Sequence, residues 1–172
     1  MGDISKNDIL RRLRYALDIS NSDMSGIFKL AGYELSGYSI LNFLKKDDED
    51  GYVECSDREL EFFLDGLIIQ KRGKKETGDS EPAVKPEGRI SNNTVLKKLR
   101  IALDFKEENM LEMFRLAGFE ITKPELSALF RKKGHKNYKV CGDQILKNFL
   151  QGITVYFRNS PVSAPSQPRP LP

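Results

Sequence analysis

The chain is poor in the residues that most often carry chemistry. It has two cysteines, one histidine and no tryptophan among 172 residues. Two cysteines cannot build the disulfide framework of a small secreted domain, and one imidazole leaves little for histidine-based catalysis or metal binding. No stretch approaches the roughly 18 to 20 consecutive apolar residues of a membrane span, so neither a transmembrane helix nor a membrane partner is expected. The N-terminus, Met1-Gly2-Asp3-Ile4-Ser5-Lys6, lacks the apolar segment of a signal peptide. It also misses the myristoylation pattern, because Lys6 stands where Ser or Thr is required. These absences lead to the expectation of a cytoplasmic protein. Glycine signatures for phosphate loops and dinucleotides are missing too, and no cofactor is expected. Neither sign of charge dominates: 28 Lys and Arg face 25 Asp and Glu, a net +3 that is too mild to demand nucleic acid or membrane. What remains, 39% hydrophobic and 31% charged, is the composition of an ordinary globular chain.

The strongest positive signal is internal repetition, which is best sought before any other feature. Slid by 86 residues, Asn7–Gly73 lies on Asn93–Asn159 without a gap, and 22 of the 67 pairs are identical. The identities include Leu10/Leu96, Leu13/Leu99, Arg14/Arg100, Asp18/Asp104, Gly32/Gly118, Cys55/Cys141, Asp57/Asp143 and Gly66/Gly152. The chain is read as helical repeat 1 over residues 1–73 and helical repeat 2 over 92–159. Residues 74–91, with two prolines, two glycines and almost no large apolar side chain, read as a flexible linker. Residues 160–172 contain five prolines and read as a disordered tail, whose Pro165-x-x-Pro168 could dock in an aromatic groove.

Within each copy the apolar period is helical. Leu10, Leu13, Ala16 and Leu17 form a stripe with Arg11, Arg12 and Arg14 off it. A second helix carrying Met24, Ile27, Phe28 and Ala31 should stop at Gly32, the residue that takes a left-handed cap conformation without steric cost; its counterpart should stop at Gly118. The third helix begins after Ser36, or after Thr122, where Thr122 and Glu125 have the spacing of a capping box. The fourth begins at the box-like Ser56-Asp57-Arg58-Glu59. Gly66 and Gly152 fall inside that helix, where glycine costs about 1 kcal/mol relative to alanine. Their presence in both copies points to a close helix–helix crossing. The expected fold is all-α, with two tandem four-helix repeats. Short helices are marginal alone in water, so the repeats are expected to pack together with pseudo-twofold symmetry.

Several blocks resemble the YehS-like family of bacterial proteins. They are Asn7-Asp8-Ile9-Leu10-Arg11-Arg12-Leu13-Arg14-Tyr15-Ala16-Leu17, Leu30-Ala31-Gly32, Cys55-Ser56-Asp57, Phe63-Leu64-Asp65-Gly66-Leu67 and Asn137-Tyr138-Lys139-Val140-Cys141-Gly142-Asp143-Gln144. The resemblance covers about Lys6 to Phe157. It implies a duplicated helical protein with a domain of unknown function, bacterial and cytoplasmic, and brings no catalytic residue.

Each residue with chemical potential also has a plainer role. Cys55 and Cys141 precede a helix start, where the dipole can lower a thiol pKa. Each lacks a CxxC or a histidine at metal spacing, so a small buried residue closing the loop is the better reading. Were the pseudo-twofold to bring them together they could form a disulfide, but a cytosolic address argues against it. Asp57 and Asp143 are explained by capping and the helix dipole. Arg14–Asp18 and Arg100–Asp104 have the i, i+4 spacing of ion pairs, with a buried network between the copies as the alternative. His135 has Glu49 as its counterpart and no evident nucleophile, so no enzyme is expected. A helix, a glycine turn and a second helix span Met24–Leu44 and Met110–Phe130, loosely like a DNA-binding helix-turn-helix. The turn is long for that motif, however, and Gly37–Lys46 is short of base-reading side chains apart from Asn42.

Charge is more informative. Residues 1–73 carry 10 basic and 14 acidic groups, whereas residues 92–159 carry 13 and 7. Much of the contrast lies in equivalent loops: Lys45–Asp50 reads KKDDED and Arg131–Lys136 reads RKKGHK. Three readings are open: solvated loops that drifted apart, mutual attraction within or between molecules, or an anion site in repeat 2. The favoured expectation is a non-enzymatic binding module contacting RNA or DNA. Arg131, Lys132, Lys133, Lys136 and Lys139 would meet phosphates and Tyr138 would stack on a base, with Arg11-Arg12 and Lys97-Lys98 able to extend the surface. The alternative is a protein–protein adaptor, or a self-associating protein, that uses the opposite charges. An acidic protein is the other partner considered, and the oligomeric state is left open.

Overall fold

The computed structural model describes residues 4–73 and 89–158. Repeat 1 forms α1 (Lys6–Leu17), α2 (Asn21–Leu30), α3 (Gly37–Leu44) and α4 (Asp57–Arg72). Repeat 2 forms α5 (Asn92–Leu103), α6 (Glu107–Leu116), α7 (Lys123–Leu129) and α8 (Asp143–Arg158). There is no strand among the described residues. All of the tail, and residues 74–88 of the stretch read as linker, lie outside them. The last linker residues are described: Ile90 is buried and Ser91 caps α5.

Local chemistry sets the helix ends. Ser5, Ser20, Ser36, Ser56, Ser91 and Thr122 each place a hydroxyl oxygen where it accepts an otherwise orphaned backbone N–H of the first turn. The boxes at Ser56/Glu59 and Thr122/Glu125 are both closed. α2 and α6 end at Leu30 and Leu116, and Gly32 and Gly118 then reverse the chain with φ of 89° and 76°. α3 and α7, with 8 and 7 residues, are shorter than the other helices, and both have N-terminal caps.

Each repeat packs its second helix across its fourth, and glycine makes the approach possible. A Cβ on Gly66 would lie 1.9 Å from the carbonyl oxygen of Ile27, and one on Gly152 would lie 1.9 Å from that of Met113. The close crossing expected from the repeated glycine is therefore present twice. Beside it, Phe28 meets Phe63 at 5.4 Å between ring centroids and Phe114 meets Phe149 at 5.7 Å, all four rings being fully buried.

The repeats join by exchanging their outer helices. α1 lies along α8 and α4 along α5, far more extensively than α1 meets α4 or α5 meets α8. Four of the polar contacts across this seam form two pairs related by the 86-residue offset. The backbone N–H of Ile4 donates to Asp143 Oδ2 at 3.1 Å, and that of Ile90 donates to Asp57 Oδ2 at 2.8 Å. Arg158 pairs with Asp18 at 3.3 Å and Arg72 with Asp104 at 3.1 Å. The pseudo-twofold is thus written in hydrogen bonds as well as in packing.

Two readings of single residues change here. Asp57 and Asp143 stand in the first turn of their helices, but the actual hydroxyl cap of α4 is Ser56, and both aspartates fasten the opposite repeat. Asp18 and Asp104 do not pair with Arg14 and Arg100. They are C-caps in the left-handed conformation, φ 54° and 56°, so the chain has left the helix and the i, i+4 register no longer holds. Arg14 donates instead to Asn21 Oδ1 and Arg100 to the Phe105 carbonyl. The seam ion pairs are exposed rather than a buried network, Asp18 being 85% accessible.

Candidate functional site

The loop before the last helix of each repeat is held by one asparagine on the first helix. Asn7 is the one buried polar residue among the described residues. Its amide donates to the carbonyls of Phe43 and Val53, at 3.0 and 2.9 Å. Its Oδ1 accepts from the Cys55 N–H at 2.9 Å and the Tyr52 hydroxyl at 3.1 Å. Asn93 repeats three of these bonds, to the Leu129 and Lys139 carbonyls and from the Cys141 N–H, each at 2.9 Å. The fourth is missing: Tyr138 makes no bond to Asn93 among the described residues. Sequence reasoning assigned these asparagines no role, although their identity in both copies at the start of a helix was the available signal.

Cys55 and Cys141 lie under these loops, buried and free. Burial pushes both thiols up from 9.0 to about 12, because the thiolate would lose its hydration. They close the loops, and burial disfavours the thiolate that a nucleophile needs. His135 stands at the tip of the basic loop, exposed, its Nδ1 accepting from the Asn137 N–H at 2.9 Å.

The basic loop borders a cleft of about 690 Å³ between the loop, the start of α5 and the edge of repeat 1. Arg131, Lys132, Lys133 and Tyr138, four of the six residues singled out in the sequence, line it. Three further cations join them: Lys97 from the first helix of the same repeat, Arg89 from the segment entering α5, and Lys6 from repeat 1. Of the basic first-helix runs only Lys97 extends the surface, since Lys98 turns to the seam and meets Asp65 at 2.6 Å and Glu61 at 3.7 Å. Lys136 and Lys139 are exposed but do not line the cleft. Lys139 sits instead near α7, adding to the lowering of the Glu125 carboxyl that hydrogen bonds with Thr122 chiefly produce. The one carboxylate on the cleft wall is Asp57, already engaged by the Ile90 N–H and by Lys6 at 3.4 Å.

The same surface of repeat 1 is neutralised. Arg11, the counterpart of Lys97, is bonded to the Asp8 carboxylate and donates to the Lys45 carbonyl at 2.9 Å. Thr94 replaces Asp8 in repeat 2, so Lys97 has no carboxylate partner among the described residues. Lys45, the counterpart of Arg131, donates to the Asp50 carbonyl at 2.8 Å. Asp47 stands where repeat 2 has Lys133. No helix among the described residues is long and apolar enough to cross a membrane, and no cluster of three or more potential metal ligands occurs among them.

Comparison with known proteins agrees with this architecture. The pattern of a family described as "Protein of unknown function (DUF1456)" matches residues 6–73 and again 92–159. The chain is similar to the "Uncharacterized protein YehS" of Escherichia coli (strain K12), with 46% identity over 147 residues, which is 86% of this chain and 92% of that protein. No solved structure matches. With its two matched segments coinciding with the two four-helix repeats, the chain belongs to the DUF1456 family, whose function is unknown.

Proposed function

We propose that the chain is a non-enzymatic binding module whose repeat 2 cleft takes the phosphates of a nucleic acid. One observation carries the reading: six cations line a single concave surface, and only Lys6 has a carboxylate partner there, Asp57, among the described residues. Five like charges gathered without counter-charges repel one another, and a polyanion with its released counterions relieves that cost. The burial of both thiols, and an exposed His135 whose hydrogen-bond partner is the Asn137 backbone N–H, fit a module that binds without transforming.

The test is fluorescence anisotropy of labelled RNA and DNA at about 50 and 200 mM salt. Four phosphate contacts should weaken affinity roughly 50- to 150-fold over that range. The quadruple variant Lys97→Gln, Arg131→Gln, Lys132→Gln and Lys133→Gln should lose both the affinity and most of the salt slope. Lys136→Gln with Lys139→Gln, outside the cleft, should change far less. Absence of low-salt binding by the folded protein overturns the reading.

A second reading is favoured by a different surface. Tyr38, Leu41 and Val53 are exposed at 72%, 45% and 45% near the acidic loop of repeat 1. Apolar side chains beside a charged loop suit a protein contact, and the basic loop of another molecule is electrostatically complementary to it. This self-association predicts a mass above 19.6 kDa in light scattering that falls with added salt and with Tyr38→Ser.

A further inference from the structure

The cleft does not end at the edge of repeat 2. A second depression of about 460 Å³ adjoins it, lined on the repeat 1 side by Ser5, Asn7, Glu54 and Ser56. The two share Lys6, Asp57 and Arg89, so together they form one groove that crosses the seam between the repeats. The cations line one end and the seam, while the far end carries one carboxylate, Glu54, among uncharged side chains. A compact anion would fill only the first part, whereas an extended polyanion reaches across the seam and stops short of Glu54, which repels it.

Among the described residues the helix-turn-helix-like pairs are also poorly built to read a duplex. Duplex readout places a helix or ribbon in a major groove with side chains reaching base edges. Here the second helix of each helix-turn-helix-like pair, α3 or α7, has 8 or 7 residues. α7 exposes Lys123, Pro124, Glu125 and Ser127 and has no Arg, Asn or Gln. In α3 the one amide, Asn42, has its Oδ1 buried. The aromatic ring of the groove differs between the repeats in the sense a single strand needs. Tyr52 is tied to Asn7 through its hydroxyl, whereas its equal Tyr138 lacks that tie, is half-buried and lines the cleft.

From these observations, and resting on the reading that the cleft binds nucleic acid, we infer that the ligand is single-stranded. Its phosphates run from Arg131–Lys133 across Lys6 and Arg89, with a base stacked on Tyr138. Stacking on an aromatic ring together with a charged track is how sequence-tolerant single-strand sites work.

The experiment uses the full chain with labelled oligonucleotides of about 4 and about 12 nucleotides, and a duplex of the longer length. The longer single strand should bind at least about ten-fold more tightly than the duplex. Lys6→Gln with Arg89→Gln should weaken the longer strand about five-fold and leave the shorter one within two-fold. Tyr138→Ala should weaken both strands roughly five- to 150-fold, the range of one lost stack. Circular dichroism checks that each variant is folded. Equal or tighter binding of duplex, or silence of the seam variant on the longer strand, overturns the groove while leaving a basic-cleft nucleic-acid site. Binding of neither, or binding of polyglutamate with the same dependence on the cleft lysines, overturns both.

Discussion

The two repeats share a scaffold and differ in what they leave unpaired. The same turn carries Arg11 in repeat 1 and Lys97 in repeat 2. The former is neutralised by Asp8, and the latter faces a cleft beside Thr94. The same tyrosine is pinned by asparagine in one repeat and left untied in the other. Duplication thus separated two demands. The asparagine anchors and the backbone and aspartate contacts of the seam recur in both copies, since losing a partner inside costs more than it does at the surface. The loops were left free to diverge in charge, where substitution is cheap.

The largest test of that division concerns the shared scaffold. Gly66→Ala and Gly152→Ala each place a methyl group against a backbone carbonyl that cannot swing aside. Each should cost about 3 kcal/mol or more, at the upper end of overpacking, and the two should be alike in chemical denaturation. A mild effect at one site only would show that the crossings are not equivalent.

Next come the asparagines. Asn7→Ala removes four hydrogen bonds from a buried site and Asn93→Ala removes three from a less buried one. Leaving buried groups unpaired costs about 1–3 kcal/mol each at most, with partial relief by water, so losses of about 3 and about 2 kcal/mol are expected. Equal losses would place the Tyr52 bond outside the energetics of the loop.

Copying repeat 1 into repeat 2 sharpens the functional side of the comparison. Thr94→Asp supplies the carboxylate that Lys97 lacks, at a first-turn position where a negative charge also suits the helix dipole. The fold should be as stable as before or slightly more so. Affinity for the nucleic-acid probe should fall roughly five-fold, and the salt slope should drop by about one contact. Unchanged affinity would remove Lys97 from the binding surface.

The smallest effect is expected at the exposed seam pairs. Arg72→Ala should cost under about 1 kcal/mol, as exposed ion pairs usually do. Arg158→Ala should cost roughly 0.5 kcal/mol more, because that guanidinium also covers the Tyr15 ring at 4.4 Å. Thermal melts of both variants test the difference.

Features bounded by a few residues were legible in the sequence. Helix stops at Gly32 and Gly118, hydroxyl caps at Ser36, Ser56 and Thr122, and the crossing at Gly66 and Gly152 all followed from local geometry or from repetition. The basic loop was legible as a charge cluster, but only part of it lines the cleft. Arg131, Lys132 and Lys133 face the groove, whereas Lys136 and Lys139 do not. Lys6 and Arg89 went unrecognised because they are distant from the basic loop in sequence, Lys6 near the N-terminus and Arg89 in the stretch read as a linker.

A duplicated all-helical chain can be read from residues alone, because helical period, caps and the 86-residue repeat depend on neighbours along the backbone. The pairing of α1 with α8 and of α4 with α5 emerges only on folding. From that exchange follow the partners of Asp18, Asp57, Asp104 and Asp143, and the convergence of Lys6, Arg89 and Lys97 on the basic loop. Such contacts join residues far apart in the chain, and their geometry is fixed by how apolar faces are buried against each other rather than by spacing in the sequence.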